Sequence, residues 1–144
     1  MNKFVVDASV AIKWYLPENF SGDANRLLNP LFELLVPELL FAETGNILWK
    51  RVMKSECPYD KAVKITRAIE TMPFQIWDTR ILAEDALDIA CRAKRTFYDS
   101  LYLSLAVRNA CQMVTADLKL YNAIKRTPFK GNVLWVEDIP YSIF

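Results

Sequence analysis

Five apolar runs of only three or four residues punctuate this chain, at positions 3–6, 34–36, 74–77, 113–115 and 133–136. Such runs are too short for helices and read as strands. The runs at 3–6 and 34–36 carry the composition of strands covered on both faces. Segments of helical length and pattern separate the runs. Short apolar strands alternating with helices predict an α/β domain with a central, mainly parallel sheet flanked by helices. In sheets of this kind, sites form just beyond the carboxyl ends of the strands.

The helical segments are expected at 8–16 (ended by Pro17), 21–28, 37–55, 59–71, 79–94, 98–110 and 117–125. Ser21 is the expected N-cap of the second, and Pro37 suits the start of the third. In the fifth, Leu82, Ala86, Ile89 and Ala90 recur at helical spacing. Residues 98–110 are apolar nearly all round, which predicts a deeply buried helix. Asn109 is the expected left-handed helix end before the fourth strand.

The 144 residues fit one ordinary domain, 1–144. Just over half are apolar, which allows a sizeable core. No run approaches the length of a membrane span, and the opening Met1-Asn2-Lys3-Phe4-Val5-Val6-Asp7 is not a secretory signal. A cytoplasmic protein without membrane contact is expected. Cys57, Cys91 and Cys111 form no metal or disulfide pattern, and Cys91 and Cys111 read as small buried hydrophobes.

Absences narrow the chemistry. Histidine is missing, which removes histidine-dependent nucleophile systems and histidine metal sites. Gly22, Gly45 and Gly131 assemble no phosphate-cradling loop. The remaining groups are carboxylates, hydroxyls and amines. The net charge of +1 conceals basic clusters, the largest holding Lys50, Arg51, Lys54, Lys61, Lys64 and Arg67. These read first as solvated helix faces, although a basic rim around an acidic centre suits a polyanion.

Four carboxylates carry the main signal. Asp7 and Asp117 each follow a predicted strand, where helix N-capping is the bland alternative. Glu43 interrupts a largely apolar helix surface together with Asn46, and a buried carboxylate there needs a cation or a wet cleft. Asp99 opens the most apolar helix, where the helix dipole alone favours an acid. Converging carboxylates repel and gain protons unless a cation intervenes. A hard oxygen site of this kind suits Mg²⁺ or Mn²⁺, which can activate water and stabilise a phosphoryl leaving oxygen.

Four motifs in order, Val5-Val6-Asp7-Ala8-Ser9, Glu43-Thr44-Gly45-Asn46, Tyr98-Asp99-Ser100-Leu101-Tyr102 and Val114-Thr115-Ala116-Asp117, resemble the PIN-domain family, especially its VapC-type toxins. The resemblance covers essentially the whole chain. It implies a three-layer Rossmann-like fold and a Mg²⁺- or Mn²⁺-dependent ribonuclease that leaves a 5′-phosphate and a 3′-hydroxyl. It further implies Asp7, Glu43, Asp99 and Asp117 as the catalytic, metal-binding quartet, supported by hydrogen bonds from Ser9, Asn46 and Thr115. A homodimer and a small antitoxin partner also follow from it. The family often carries glycine where this chain reads Asn109-Ala110-Cys111.

Two other readings stay open. A non-catalytic nucleic-acid- or protein-binding PIN domain shares the fold, but does not need four converging acids. A receiver-like signalling domain also places acids at a sheet edge, yet Asp7 lacks an adjacent acidic partner and Trp135-Val136-Glu137 supplies no lysine. Trp14, Tyr15, Trp49 and Tyr102 could stack on unpaired bases, and read first as core or interface residues.

Overall fold

The computed structural model describes residues 2–141. Five strands, β1 (Asn2–Val6), β2 (Phe32–Pro37), β3 (Gln75–Trp77), β4 (Gln112–Thr115) and β5 (Val133–Trp135), form one sheet in the order β3-β2-β1-β4-β5. Every pairing is parallel. Helices α1 (Ala8–Ala11), α2 (Ser21–Ala24), α3 (Leu39–Met53), α4 (Tyr59–Glu70), α5 (Thr79–Ala93), α6 (Phe97–Arg108) and α7 (Leu118–Lys125) flank it. The result is the three-layer Rossmann-like architecture expected from the sequence.

The inner strands explain the parallel arrangement. Val5, Val6, Leu35, Val36, Met113 and Val114 are wholly buried. A strand apolar on both faces needs cover on both, and crossover helices supply it. Helix α6 packs on β1, β2 and β4, with α5 packed against it. Helix α1 contacts both α3 and β4. The expected burial of α6 holds from Ser100 to Ala106, where every residue is buried, while Tyr98, Val107 and Arg108 are exposed.

Strand order decides where a site can lie. From β1 the chain moves outward through β2 and β3, then returns to the other side of β1 for β4 and β5. The direction reverses between β1 and β4, and ligands of open α/β sheets bind in the crevice at such a switch point. Asp7 follows β1 directly, and Asp117 lies two residues beyond β4.

Several local expectations are corrected. The segment 8–16 splits into α1 and a 3-10 turn at Ile12–Trp14, and 21–28 splits likewise after Ala24. Ser21 does not cap α2 but is its first residue. Phe20 holds the capping position at φ 67°, while the Ser21 hydroxyl accepts from the Glu18 N–H (3.0 Å) and stitches the preceding loop. Asn109 is not the left-handed helix end, for its φ is −100°, and the left-handed residue is Ala110 at φ 50°. The Asn109 side chain instead donates to the Leu105 carbonyl at 2.9 Å. Cys91 is exposed and Cys111 half-buried, whereas Cys57 is buried. Cys91 follows Ile89 by two residues on α5, which turns it away from the buried stripe of Leu82, Ala86, Ile89 and Ala93.

Ala110 is exposed and adopts a conformation that crowds its Cβ. Ala110→Gly is expected to stabilise the fold by about 1 kcal/mol, measured as a shift of the urea unfolding midpoint.

Candidate active site

Asp7 sits at the N-cap position of α1, yet its side chain caps nothing. Its backbone carbonyl accepts from the N–H groups of Val10 and Ala11, which leaves the carboxylate free for other partners. Oδ2 accepts from the Ser9 hydroxyl at 2.7 Å and from the Thr115 hydroxyl at 2.8 Å. Each hydroxyl in turn accepts from the chain after β4. Ala116 N–H donates to Ser9 Oγ at 3.0 Å, and Asp117 N–H to Thr115 Oγ1 at 3.1 Å. This network joins the ends of β1 and β4 across the switch point.

Glu43 lies on α3 and, among the described residues, makes no ion pair. The Tyr102 hydroxyl of α6 donates to its Oε1 at 2.6 Å. Tyr102 is fully buried, and its hydroxyl, like that of most buried tyrosines, is partnered. Burial pushes the phenol far above its ordinary range, so it stays a donor.

Asp99 is the third residue of α6. Its N–H donates to the hydroxyl of Thr96, the N-cap, at 3.0 Å. This is half of a capping box. The carboxylate pairs with Arg95 (Nη2–Oδ2 3.3 Å). Asp117 caps α7, with Oδ1 accepting from the Leu120 N–H at 3.2 Å. The bland roles foreseen for these two acids are therefore real, and they coexist with a shared position.

All four carboxylates line one cavity of about 470 Å³, together with Ser9, Asn46, Lys50 and Tyr98. Of the three positions expected to support the quartet, Ser9 and Thr115 bond Asp7 directly. Asn46 lines the cavity but bonds none of the four among the described residues. Tyr102 was legible only as a stacking or core aromatic, although its place one turn beyond Asp99 on a buried helix marked a hydroxyl in need of an acceptor. Trp14 and Tyr15 are half-buried against the core, and Trp49 is exposed outside the cavity.

The electrostatics follow from burial. Removal from water raises the Asp7 carboxyl from 3.8 to about 6, opposed by the Ser9 and Thr115 hydrogen bonds and reinforced by Glu43 and Asp99. Glu43 is also raised, first by burial, then by the charge of Asp99, against the Tyr102 hydrogen bond. Unshared acids that resist ionisation in one cleft form a site that gains from a cation. Among the described residues no three acids stand close enough to enclose an ion by themselves. That arrangement still fits Mg²⁺, which keeps several waters and commonly takes only one or two carboxylates.

The architecture defines a Rossmann-like α/β protein with an acid-lined cavity at the topological switch point. The PIN domain profile matches residues 4–126. Ribonuclease VapC3 of Pyrobaculum aerophilum is 31% identical over 121 residues, covering 82% of this chain and 92% of that protein. The chain belongs to the PIN domain family. Solved structures share the fold. PAE2754 from Pyrobaculum aerophilum superposes with a TM-score of 0.66 at 24% identity, over 94% of this chain and 85% of that one. VapC20 of Mycobacterium tuberculosis, described as a Sarcin-Ricin loop cleaving toxin, gives 0.62 at 19% identity, over 87% and 99%. VapBC2 from Rickettsia felis, solved on a DNA fragment from its promoter, gives 0.61 at 13%, over 92% and 98%.

The Asp7 value carries a consequence for stability. Between pH 3.8 and about 6 the folded chain holds a proton that the unfolded chain has released. The contribution of this group is thus intact below about pH 4 and is lost as pH rises through about 6, a loss of roughly 3 kcal/mol. Without divalent metal, Asp7→Asn is expected to be more stable than the parent at neutral pH by up to that amount, with the gap closing in acid. Urea unfolding at the two pH extremes measures this, and a gap of equal size at both would refute the burial argument.

Proposed function

We propose that this protein is a divalent-metal-dependent endoribonuclease, the toxin of a type II toxin–antitoxin pair. The observation that carries the reading is the convergence of Asp7, Glu43, Asp99 and Asp117 on one cavity at the sheet's switch point. The likeness to Ribonuclease VapC3 supports RNA as the substrate class. Asp7, Glu43, Asp99 and Asp117 are the acids that would hold the ion, in part through its own waters, and serve catalysis, and Mg²⁺ or Mn²⁺ matches their donor chemistry. When bound, such an ion activates water and stabilises charge on the phosphoryl group.

The chain's own residues then have separable tasks. Ser9 and Thr115 fix the Asp7 carboxylate by donating to one of its oxygens. Tyr102 fixes Glu43 in the same way. Asn46 lies one turn beyond Glu43 on α3, on the cavity wall, where its amide faces the space a substrate would fill. The reaction is attack of water on an RNA phosphodiester, with the bond to the 3′-oxygen broken. One product strand ends in a 3′-hydroxyl and the other begins with a 5′-phosphate.

The same reading makes the chain one catalytic domain working in the cytoplasm, with a small antitoxin and a second copy of itself as partners. The fold shared with VapBC2 supports the antitoxin. Exposed Trp49, Met53 and Tyr59 offer apolar surface to such partners. No helix among the described residues is long and apolar enough to cross a membrane.

The test is cleavage of a mixed cellular RNA pool by purified protein with Mn²⁺ or Mg²⁺, with EDTA and Asp99→Asn as controls. Cleavage is expected with metal and is expected to vanish in EDTA and in the variant. Mn²⁺ at a hundredfold excess over its dissociation constant should stabilise the parent by about 2.7 kcal/mol, and the variant by less. A folded protein that binds RNA yet neither binds metal nor cleaves would replace this reading with a binding module.

A further inference from the structure

Four carboxylates in one cavity repel the polyanion they are proposed to cut. The ion offsets part of that charge at the centre, but the strand on either side still needs a grip. Two side chains of the cavity are not occupied by any other role. Lys50 follows Glu43 by seven residues on α3 and Asn46 by four, which puts all three on one helix face. Among the described residues it is the one cation lining the cavity. It is exposed, and among the described residues it makes no ion pair. Its neighbour Arg51 shows the contrast, being committed to Glu18 and, at 3.7 Å, to Glu56.

Tyr98 is the second. It precedes Asp99 in the first turn of α6, and 61% of its surface is open although the helix from Ser100 to Ala106 is buried. Its hydroxyl has no hydrogen-bond partner among the described residues, so nothing in the fold accounts for an uncovered ring at the cavity wall. Tyr102, one turn on, is buried and bonded to Glu43.

On the ribonuclease reading above, we infer that Lys50 and Tyr98 form the substrate grip of this cavity and select unpaired RNA: Tyr98 stacks on the base of a nucleotide beside the cleaved bond, and Lys50 holds an adjacent phosphate. Aromatic stacking needs a base freed from its helix, and RNA-binding proteins read such bases in loops and single strands. A cavity of about 470 Å³ admits one unpaired nucleotide, whereas a duplex keeps its bases inside. Both residues touch substrate, and neither holds the ion.

The experiment measures binding of a short fluorescein-labelled RNA, as a single strand and as a duplex, by anisotropy with Ca²⁺ replacing Mn²⁺. The parent is expected to favour the single strand. Tyr98→Leu should weaken single-strand binding about tenfold and erase the preference, while Tyr98→Phe retains both. Lys50→Met should reduce the slope of log affinity against log salt by about 0.7, and Lys50→Arg should restore it. Stabilisation by Mn²⁺ should be unchanged in all four variants, which separates a substrate grip from a structural or metal-holding role. If the parent cleaves RNA and Tyr98→Leu and Lys50→Met bind and cleave as it does, the inference falls and the ribonuclease reading stands. If the folded, metal-loaded parent neither binds nor cleaves RNA, both fall together.

Discussion

Two hydroxyls meeting on one oxygen of Asp7 hold the site together. Ser9 belongs to the helix after β1, and Thr115 ends β4, 106 residues further along the chain. Both donate to the same carboxylate oxygen, and both accept N–H groups from the turn after β4. The strand ends are thereby fixed where the sheet reverses its winding. The carboxylate also stays out of water, which lifts its proton affinity and makes this end of the cavity an unfavourable place for charge.

Glu43 depends on a parallel device. Its partner is a buried tyrosine rather than a lysine or arginine, so its charge is oriented without being neutralised. An ion pair there would have met the charge internally. A neutral donor leaves the demand for a cation unmet, and the cavity keeps it in common with Asp7. Asp117 is exposed, Asp99 is half-buried, and both double as helix-terminal residues. One set of acids thus serves both the folding of α6 and α7 and the electrostatics of the cleft.

Much of this was legible in the residues. Short doubly apolar runs such as Phe4-Val5-Val6 announced the parallel sheet, and the position of Asp7 and Asp117 after such runs placed them at its active edge. Glu43 stood out as a charge on an apolar helix surface. Backbone detail was less legible. The left-handed position fell on Ala110 and not Asn109, because the local geometry is set by how α6 must turn into β4 and not by the preference of any one residue. Cys91 was misplaced because its apolar neighbours pack on a helix face that Cys91 itself does not share.

The sequence by itself determined the chemistry on offer: no histidine, no phosphate loop, four acids and a few hydroxyls in an order typical of the family. It also determined the layered fold, since the apolar periodicity that specifies helix or strand is a local property of a segment. Only the tertiary structure decided which groups meet. Tyr102 reaches Glu43 across 59 residues, and Lys50 is the cation that lines the cavity while Arg51 turns away to Glu18. Such pairings depend on helix rotation and strand register, and small changes in either redirect a side chain while leaving the apolar pattern that specifies the fold intact.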